Sequence, residues 1–252
     1  MEGSSQSKWV RPMISGNSGM VDSQKSKVWP WALILSSFFS WVIVTIGTGA
    51  IVAVTLLLIG YSETTSINLA ILVSYLAIIP LTGLLIYADG SVDDTMDSMR
   101  LESVRKSLKL VIVIPIIVTL IDFVLVVLYG ISYDAILGEP RPNTDIGVTW
   151  DSGLAAIGVT FFSIAILAPI AEELMFRGYL LESIKRLHGD VVAVIASSIL
   201  FGLAHFPDPY TMGMATIGGM LYGYVKIRTG SLWPSIISHL IWNMIALAVT
   251  YL

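Results

Sequence analysis

Residues 153–170 have the sequence GLAAIGVTFFSIAILAPI, and residues 171–188 continue it as AEELMFRGYLLESIKRLH. The first segment is apolar over nearly the ~20 residues that a helix needs to cross a bilayer. The second segment is amphipathic, and no Pro or Gly pair interrupts it before Gly189, so we expect it to extend the same helix. The sequence therefore predicts a membrane helix that carries acidic residues where its apolar part ends.

Similar apolar runs recur along the rest of the chain. Of its 252 residues, 55% are hydrophobic and 13% are charged, whereas a soluble domain has roughly a quarter charged residues. We expect an all-α, polytopic transmembrane bundle of about seven spans, forming a single domain over 29–252 behind a polar tail, 1–28. The predicted spans cover about 31–60, 67–88, 109–131, 153–170, 191–206, 211–225 and 231–251.

The distribution of Lys and Arg predicts the orientation of these spans. Basic residues occur in the tail and in every second connection, and the other connections carry only Arg141. Cytoplasmic loops hold the excess of Lys and Arg, so we expect a multi-pass cell-membrane protein with a cytoplasmic N-terminus. The basic segments are the tail, 100–109, 177–186 and 226–228, and the others are 61–66, 132–152 and 207–210.

Composition also excludes several classes of function. The chain contains no cysteine, which excludes a disulfide framework, a thiolate metal site and a Cys nucleophile. The net charge of -4 is spread through loops and gives no basic face for nucleic acid. The expected partner at this point is membrane lipid, and no nucleic acid is expected.

A few polar side chains interrupt the predicted spans, where they are costly and by default mark function. Glu172 and Glu173 follow one apolar run, His205 ends another, and His239 and Asn243 lie inside the last. These residues come from three different helices. They are therefore the candidates for a buried site.

Helical spacing groups these candidates further. Glu173 and Arg177 are separated by four residues with the acid first, the favoured order for a helical ion pair. Glu172 points about 100° away from Glu173, so its carboxylate is left to meet another helix. His239 and Asn243 are also four residues apart and share one helical face.

A hairpin would bring two of these residues to the same height. Glu172 lies 17 residues before Gly189, and His205 lies 16 residues after it. If the chain turns at Gly189 between antiparallel helices, the two side chains stand about 25 Å from the turn. We therefore expect Glu172 and His205 to face one another within the membrane.

A carboxylate and an imidazole at one height can activate a water molecule. Glu172 would accept the proton of the water as general base, and His205 would orient the water. His239 and Asn243 carry N–H groups that could hold the negative oxygen formed on an attacked carbonyl. This set of side chains predicts amide hydrolysis without a covalent intermediate.

Three alternatives use some of the same residues. Glu172, His205 and His239 could ligate a catalytic zinc ion, although no HExxH helix is present. A transporter could use Glu172, His205 and Asp122 as a proton relay, but it predicts inverted repeats, and the sequence shows none. A non-catalytic membrane binding protein would keep its function after Glu172→Gln.

Three motifs together resemble those of a known family. They are EExxxR at 172–177, FxxxH at 201–205 and HxxxN at 239–243. Their order and spacing are similar to those of the CPBP family, which comprises type II CAAX prenyl endopeptidases and bacteriocin-processing or bacteriocin-immunity membrane proteins. The resemblance covers about 165–245.

The resemblance implies an intramembrane glutamate-dependent endopeptidase that needs no cofactor. Its substrate would be a membrane-associated peptide, with prenylated CAAX proteins as one class. The implied catalytic residues are Glu172 and His205, which activate water, and His239 and Asn243, which form the oxyanion hole. Glu173 and Arg177 would support the site.

Overall fold

The computed structural model describes residues 28–89, 95–97, 99, 107, 109–137 and 153–251. This part of the chain is helical and contains no strand, which confirms the predicted all-α fold. Residues 1–27 of the predicted tail lie outside the described residues, as do Arg100, Arg141 and most of the two connections that hold them. The main helices are α1 (Val28–Leu58), α2 (Glu63–Asp89), α3 (Lys109–Ile136), α4 (Leu154–His188), α5 (Asp190–Leu203), α6 (Pro209–Thr229) and α7 (Trp233–Tyr251).

Each of the seven apolar runs overlaps one of these helices. Among the described helices, α1 to α4 are long and apolar enough to cross a membrane, and α5 and α7 are shorter apolar helices. Large apolar side chains cover the outer faces of α1 and α3, as the lipid-facing surface of a bundle requires. The protein is an integral membrane protein, and a total of about seven spans stays a prediction.

Helix α4 continues through the predicted extension to His188. It is α-helical over Ala168–Glu173, and wider π-helical turns lie on either side, at Phe162–Leu167 and Leu174–Leu180. Pro169 lacks an N–H group and crowds the preceding turn, so the wide turn before it lets the helix continue. Such turns are frequent at functional sites, and these two enclose Glu172 and Glu173.

Helix α4 forms the centre of the bundle. Met175, Phe176 and Leu180 on this helix are completely buried. Trp41 of α1 packs edge-on against Phe176 with ring centroids 5.5 Å apart, and Ile78 of α2 belongs to the same buried cluster. The residues that follow the acidic pair are therefore enclosed by protein.

Helix α2 runs parallel to α4 and is tied to it by polar contacts. Thr160 donates a hydrogen bond to Asn68 at 2.7 Å, and Ser183 donates to Asp89 at 2.9 Å. The contacts occur in the same order along both helices. They fix the height of the α2 residues between them relative to the middle of α4.

Glycines allow α6 to pack closely against α5. A Cβ atom at Gly219 would lie 3.1 Å from the Cβ of Ser198 and 3.2 Å from its Cα. Close approach through small residues is the usual way in which membrane helices associate. It brings α6 beside the cavity, which this helix lines together with α4, α5 and α7.

Candidate functional site

A cavity of about 410 Å³ lies between the helices. All four residues predicted to be catalytic line it, so the structure brings together side chains from α4, the end of α5, and α7. Glu172 and His205 both line this cavity, and their action as a pair stays a prediction. The lining comprises Tyr75, Asp122, Ile164, Ala168, Glu172, Phe201, His205, Thr211, Met214, Ala215, Gly218, Tyr222, His239, Trp242, Asn243, Ala246 and Leu247.

The side chain of Glu172 contacts two other helices, as expected from its predicted direction on α4. The hydroxyl of Tyr75 on α2 donates a hydrogen bond to Glu172 Oε1 at 3.0 Å. The other oxygen, Oε2, lies 3.7 Å from His239 Nε2 on α7. The residue is 7% exposed. The carboxylate is thus held on one oxygen, and the second oxygen remains available for a proton.

Glu173 and Arg177 form the predicted ion pair. Arg177 Nη1 donates to Glu173 Oε1 at 2.9 Å, and both side chains are completely buried. The guanidinium carbon lies 4.5 Å from the ring centroid of Phe201, an arrangement that favours a cation. The pair therefore packs against Phe201, which lines the cavity, and is not itself part of the lining.

His239 lies between the two glutamates. Its Nδ1 is 3.0 Å from Glu173 Oε1, and its Nε2 faces Glu172. The ring of Tyr222 stacks on it with centroids 5.3 Å apart. Both ring nitrogens face carboxylates, so His239 would have to turn one of them to serve an oxyanion. Its predicted part in the oxyanion hole stays a prediction.

Asn243 is fixed by a backbone group of α4. Its Nδ2 donates to the carbonyl oxygen of Ile164 at 2.9 Å. In the wide turn, the N–H of Ala168 bonds to Ser163, so the next N–H in this pattern would belong to Pro169, which has none. Asn243 thus satisfies a carbonyl that proline leaves without a helical partner.

The amide nitrogen of Asn243 carries two N–H groups. The bond to Ile164 uses one of them. The second N–H is chemically suited to bind an oxyanion in the cavity that Asn243 lines. This position agrees with the predicted role and does not test it.

His205 follows the end of α5 and has a defined tautomer. Its Nδ1 lies 2.9 Å from the carbonyl oxygen of Phe201. A carbonyl only accepts, so Nδ1 must carry the proton and donate it. The Nε2 atom then has a free lone pair, which can accept a hydrogen bond from water.

The sequence alone did not indicate two of the polar contacts at the cavity. Tyr75 belongs to an apolar run without any motif, and a single aromatic hydroxyl was the only available signal. Asp122, which is isolated in sequence, accepts a hydrogen bond from Tyr222 at 2.8 Å. Both contacts join helices far apart in the chain.

The residues of the zinc alternative do not form a metal site in this arrangement. Within the described ranges, no group of three His, Cys, Asp or Glu residues is placed to hold a metal ion. The two ring nitrogens of His239 already face carboxylates.

A family model matches the part of the chain that contains the site. The family model described as "Type II CAAX prenyl endopeptidase Rce1-like" matches residues 154–245. This range spans α4 to α7 up to the last turns and contains all six predicted site residues. The match confirms the resemblance to the CPBP family that the three motifs predict, over residues 154–245 alone, which are less than half of the chain.

A curated relative is also similar over part of the chain. The protein named "Putative membrane peptidase YdiL" from Bacillus subtilis is 27% identical over 90 residues, which are 36% of this chain and 36% of that protein. The alignment thus spans about a third of the relative's length. No solved structure matches the chain.

Proposed function

We propose that this protein is an intramembrane endopeptidase that hydrolyses a peptide bond of a membrane-associated substrate. The observation that supports this most directly is the cavity shared by Glu172 and His205, in which each side chain has a free acceptor. It lies among apolar helices of an integral membrane protein. The family match and the name of the bacterial relative agree with this chemistry.

In the proposed reaction, a single water molecule donates two hydrogen bonds, one to Glu172 Oε2 and one to His205 Nε2. As the water attacks the substrate carbonyl carbon, Glu172 accepts its proton. The negative oxygen that forms is stabilised by the second N–H of Asn243 and by a turned His239. The C–N bond then breaks, and Glu172 returns the proton to the leaving amine.

Glu173 and Arg177 support this reaction without touching the substrate. Arg177 neutralises Glu173 in a fully buried pair, and Glu173 accepts a hydrogen bond from His239. Without Arg177 the charge on Glu173 would be left unpaired in a low dielectric, which is costly. The pair therefore fixes the resting orientation of His239 beside Glu172, from which the ring turns to the oxyanion.

The proposed substrate enters from the membrane or its surface. The cavity wall contains apolar side chains such as Met214, Trp242 and Leu247, which suit an apolar peptide segment or a lipid group. Prenylated CAAX proteins are one class to test because of the family match. With a cytoplasmic N-terminus, and with the 178–190 hairpin projecting about two helical turns into the cytoplasm, the cavity would lie in the cytoplasmic half of the bilayer.

A substrate panel tests the proposal. The full-length protein in liposomes would be incubated with a farnesylated CAAX peptide and several membrane peptides, and the products identified by mass spectrometry. We expect wild-type protein to cleave at least one peptide, with and without a strong chelator, and Glu172→Gln to cleave none. Inhibition by the chelator would favour the zinc alternative, and equal cleavage by Glu172→Gln would refute the proposed mechanism.

A further inference from the structure

Tyr75 is a polar residue of the cavity that lies outside the family-matched range. It belongs to α2, and its hydroxyl bonds to Glu172 Oε1 at 3.0 Å. None of the three motifs includes α2. We propose that Tyr75 is a positioning residue for Glu172, an inference that rests on the proposed peptidase function.

The hydrogen bond determines which carboxylate oxygen can act as the base. Tyr75 donates to Oε1, so that oxygen faces α2. Oε2 then faces α7, where His239 Nε2 lies 3.7 Å away. A hydrogen bond to an ionised group is stronger than one between neutral groups. Tyr75 therefore keeps the carboxylate from rotating and directs Oε2 to the water.

The backbone on which Tyr75 sits is well fixed. Asn68, seven residues before Tyr75 and so on the same face of α2, accepts a hydrogen bond from Thr160 of α4. Asp89, at the end of α2, binds Ser183 of α4. Because α2 is attached to α4 on both sides of Tyr75, the hydroxyl is held at the height of Glu172.

This placement gives the first half of the chain a part in the reaction. The motifs supply Glu172 as the base. Helix α4 holds the backbone of this residue but does not by itself fix the orientation of the carboxylate. Helix α2 supplies that constraint through one hydroxyl group. Removal of this hydroxyl should leave substrate binding intact and should misplace the base in the step in which water attacks the carbonyl carbon.

The test compares Tyr75→Phe with Tyr87→Phe. Both substitutions remove one hydroxyl from α2, but Tyr87 is 76% exposed and does not line the cavity. On a peptide that wild-type protein cleaves, we expect Tyr75→Phe to lower kcat about tenfold with little change in KM. Tyr87→Phe should match the wild type. An unchanged kcat in Tyr75→Phe, or equal losses in both variants, would overturn the inference.

A spectroscopic measurement separates this inference from the proposed function. The infrared band of the Glu172 carboxylate would be identified as the band lost in Glu172→Gln. We expect it to shift in Tyr75→Phe and to stay in place in Tyr87→Phe, whether or not a substrate is known. A band that does not move refutes the contact. A shifted band together with equal cleavage by wild type and Glu172→Gln retains the contact and refutes the proposed role of Glu172 as the base.

Discussion

At the scale of single residues, one hydrogen bond determines the tautomer of His205. Because Nδ1 donates to the carbonyl of Phe201, Nε2 can accept from the attacking water. The chain contains two other histidines. One of them, His188, is the last residue of α4 and accepts a hydrogen bond from Trp31. His188 is therefore a natural control for His205.

We predict that His205→Ala lowers kcat about a hundredfold, because a positioned acid or base contributes about that much or more. His188→Ala, which removes an imidazole far from the cavity, should retain wild-type kcat. Initial rates of peptide cleavage at saturating substrate measure both. Similar rates for the two variants would show that His205 does not orient the water.

The buried pair Glu173 and Arg177 predicts a large effect on stability. Arg177→Ala leaves a buried carboxylate unpaired, so we expect the free energy of unfolding to fall by about 3–5 kcal/mol. The double variant Glu173→Ala, Arg177→Ala should be more stable than Arg177→Ala, because it buries no lone charge. Unfolding in detergent measures all three, and a double variant less stable than Arg177→Ala would contradict the pairing.

Residue spacing predicted more at this scale than at any other. The i, i+4 relation gave the pair of Glu173 and Arg177, and the separation of Glu172 from it. The same spacing could not indicate Tyr75, which lies 97 residues from Glu172. A contact of that kind depends on how α2 packs, and hydrophobic periodicity contains no information on it.

At the scale of the helix, Pro169 and the wide turn before it prepare the site. They leave the carbonyl oxygen of Ile164 without a helical N–H partner, so it accepts the hydrogen bond from Asn243 instead. The sequence predicted that α4 continues past Pro169. It did not predict the π-helical turns. An extra residue in a turn displaces the following side chains by about 100°, but residues 153–170 are apolar on every face and show no stripe whose displacement would reveal it.

We predict that Pro169→Ala lowers kcat by roughly tenfold or more, toward the loss seen when an oxyanion donor is removed. The new N–H can bond to Ile164 and release Asn243 from its fixed position. Pro80→Ala is the matched control, because Pro80 is also inside a helix and is exposed. Equal activity of both variants would show that the proline does not position Asn243.

Helix packing supplies a second prediction at this scale. A methyl group at Gly219 would meet the backbone of Ser198 at 3.2 Å, so Gly219→Ala should lower the unfolding temperature in detergent. Gly83→Ala has no atom within 4 Å of its new Cβ and should not lower it. Equal unfolding temperatures for the two variants would contradict the close approach of α5 and α6.

At the scale of the whole molecule, the described helices surround one cavity inside a membrane protein. The predicted orientation can be tested directly, because the chain has no cysteine to give background labelling. We expect Tyr61→Cys, in the connection between α1 and α2 and 51% exposed, to react with an impermeant maleimide on intact cells. Ser5→Cys, in the tail, should react only after lysis, and the reverse pattern would invert the orientation.

The central claim is that Glu172 is the base of a peptide hydrolase. The most direct measurement is the initial cleavage rate of Glu172→Gln in liposomes, beside wild type and Glu63→Gln, which removes an acid at the start of α2. We predict a loss of at least about a hundredfold in Glu172→Gln and none in Glu63→Gln. A Glu172→Gln protein that cleaves at the wild-type rate would contradict the account.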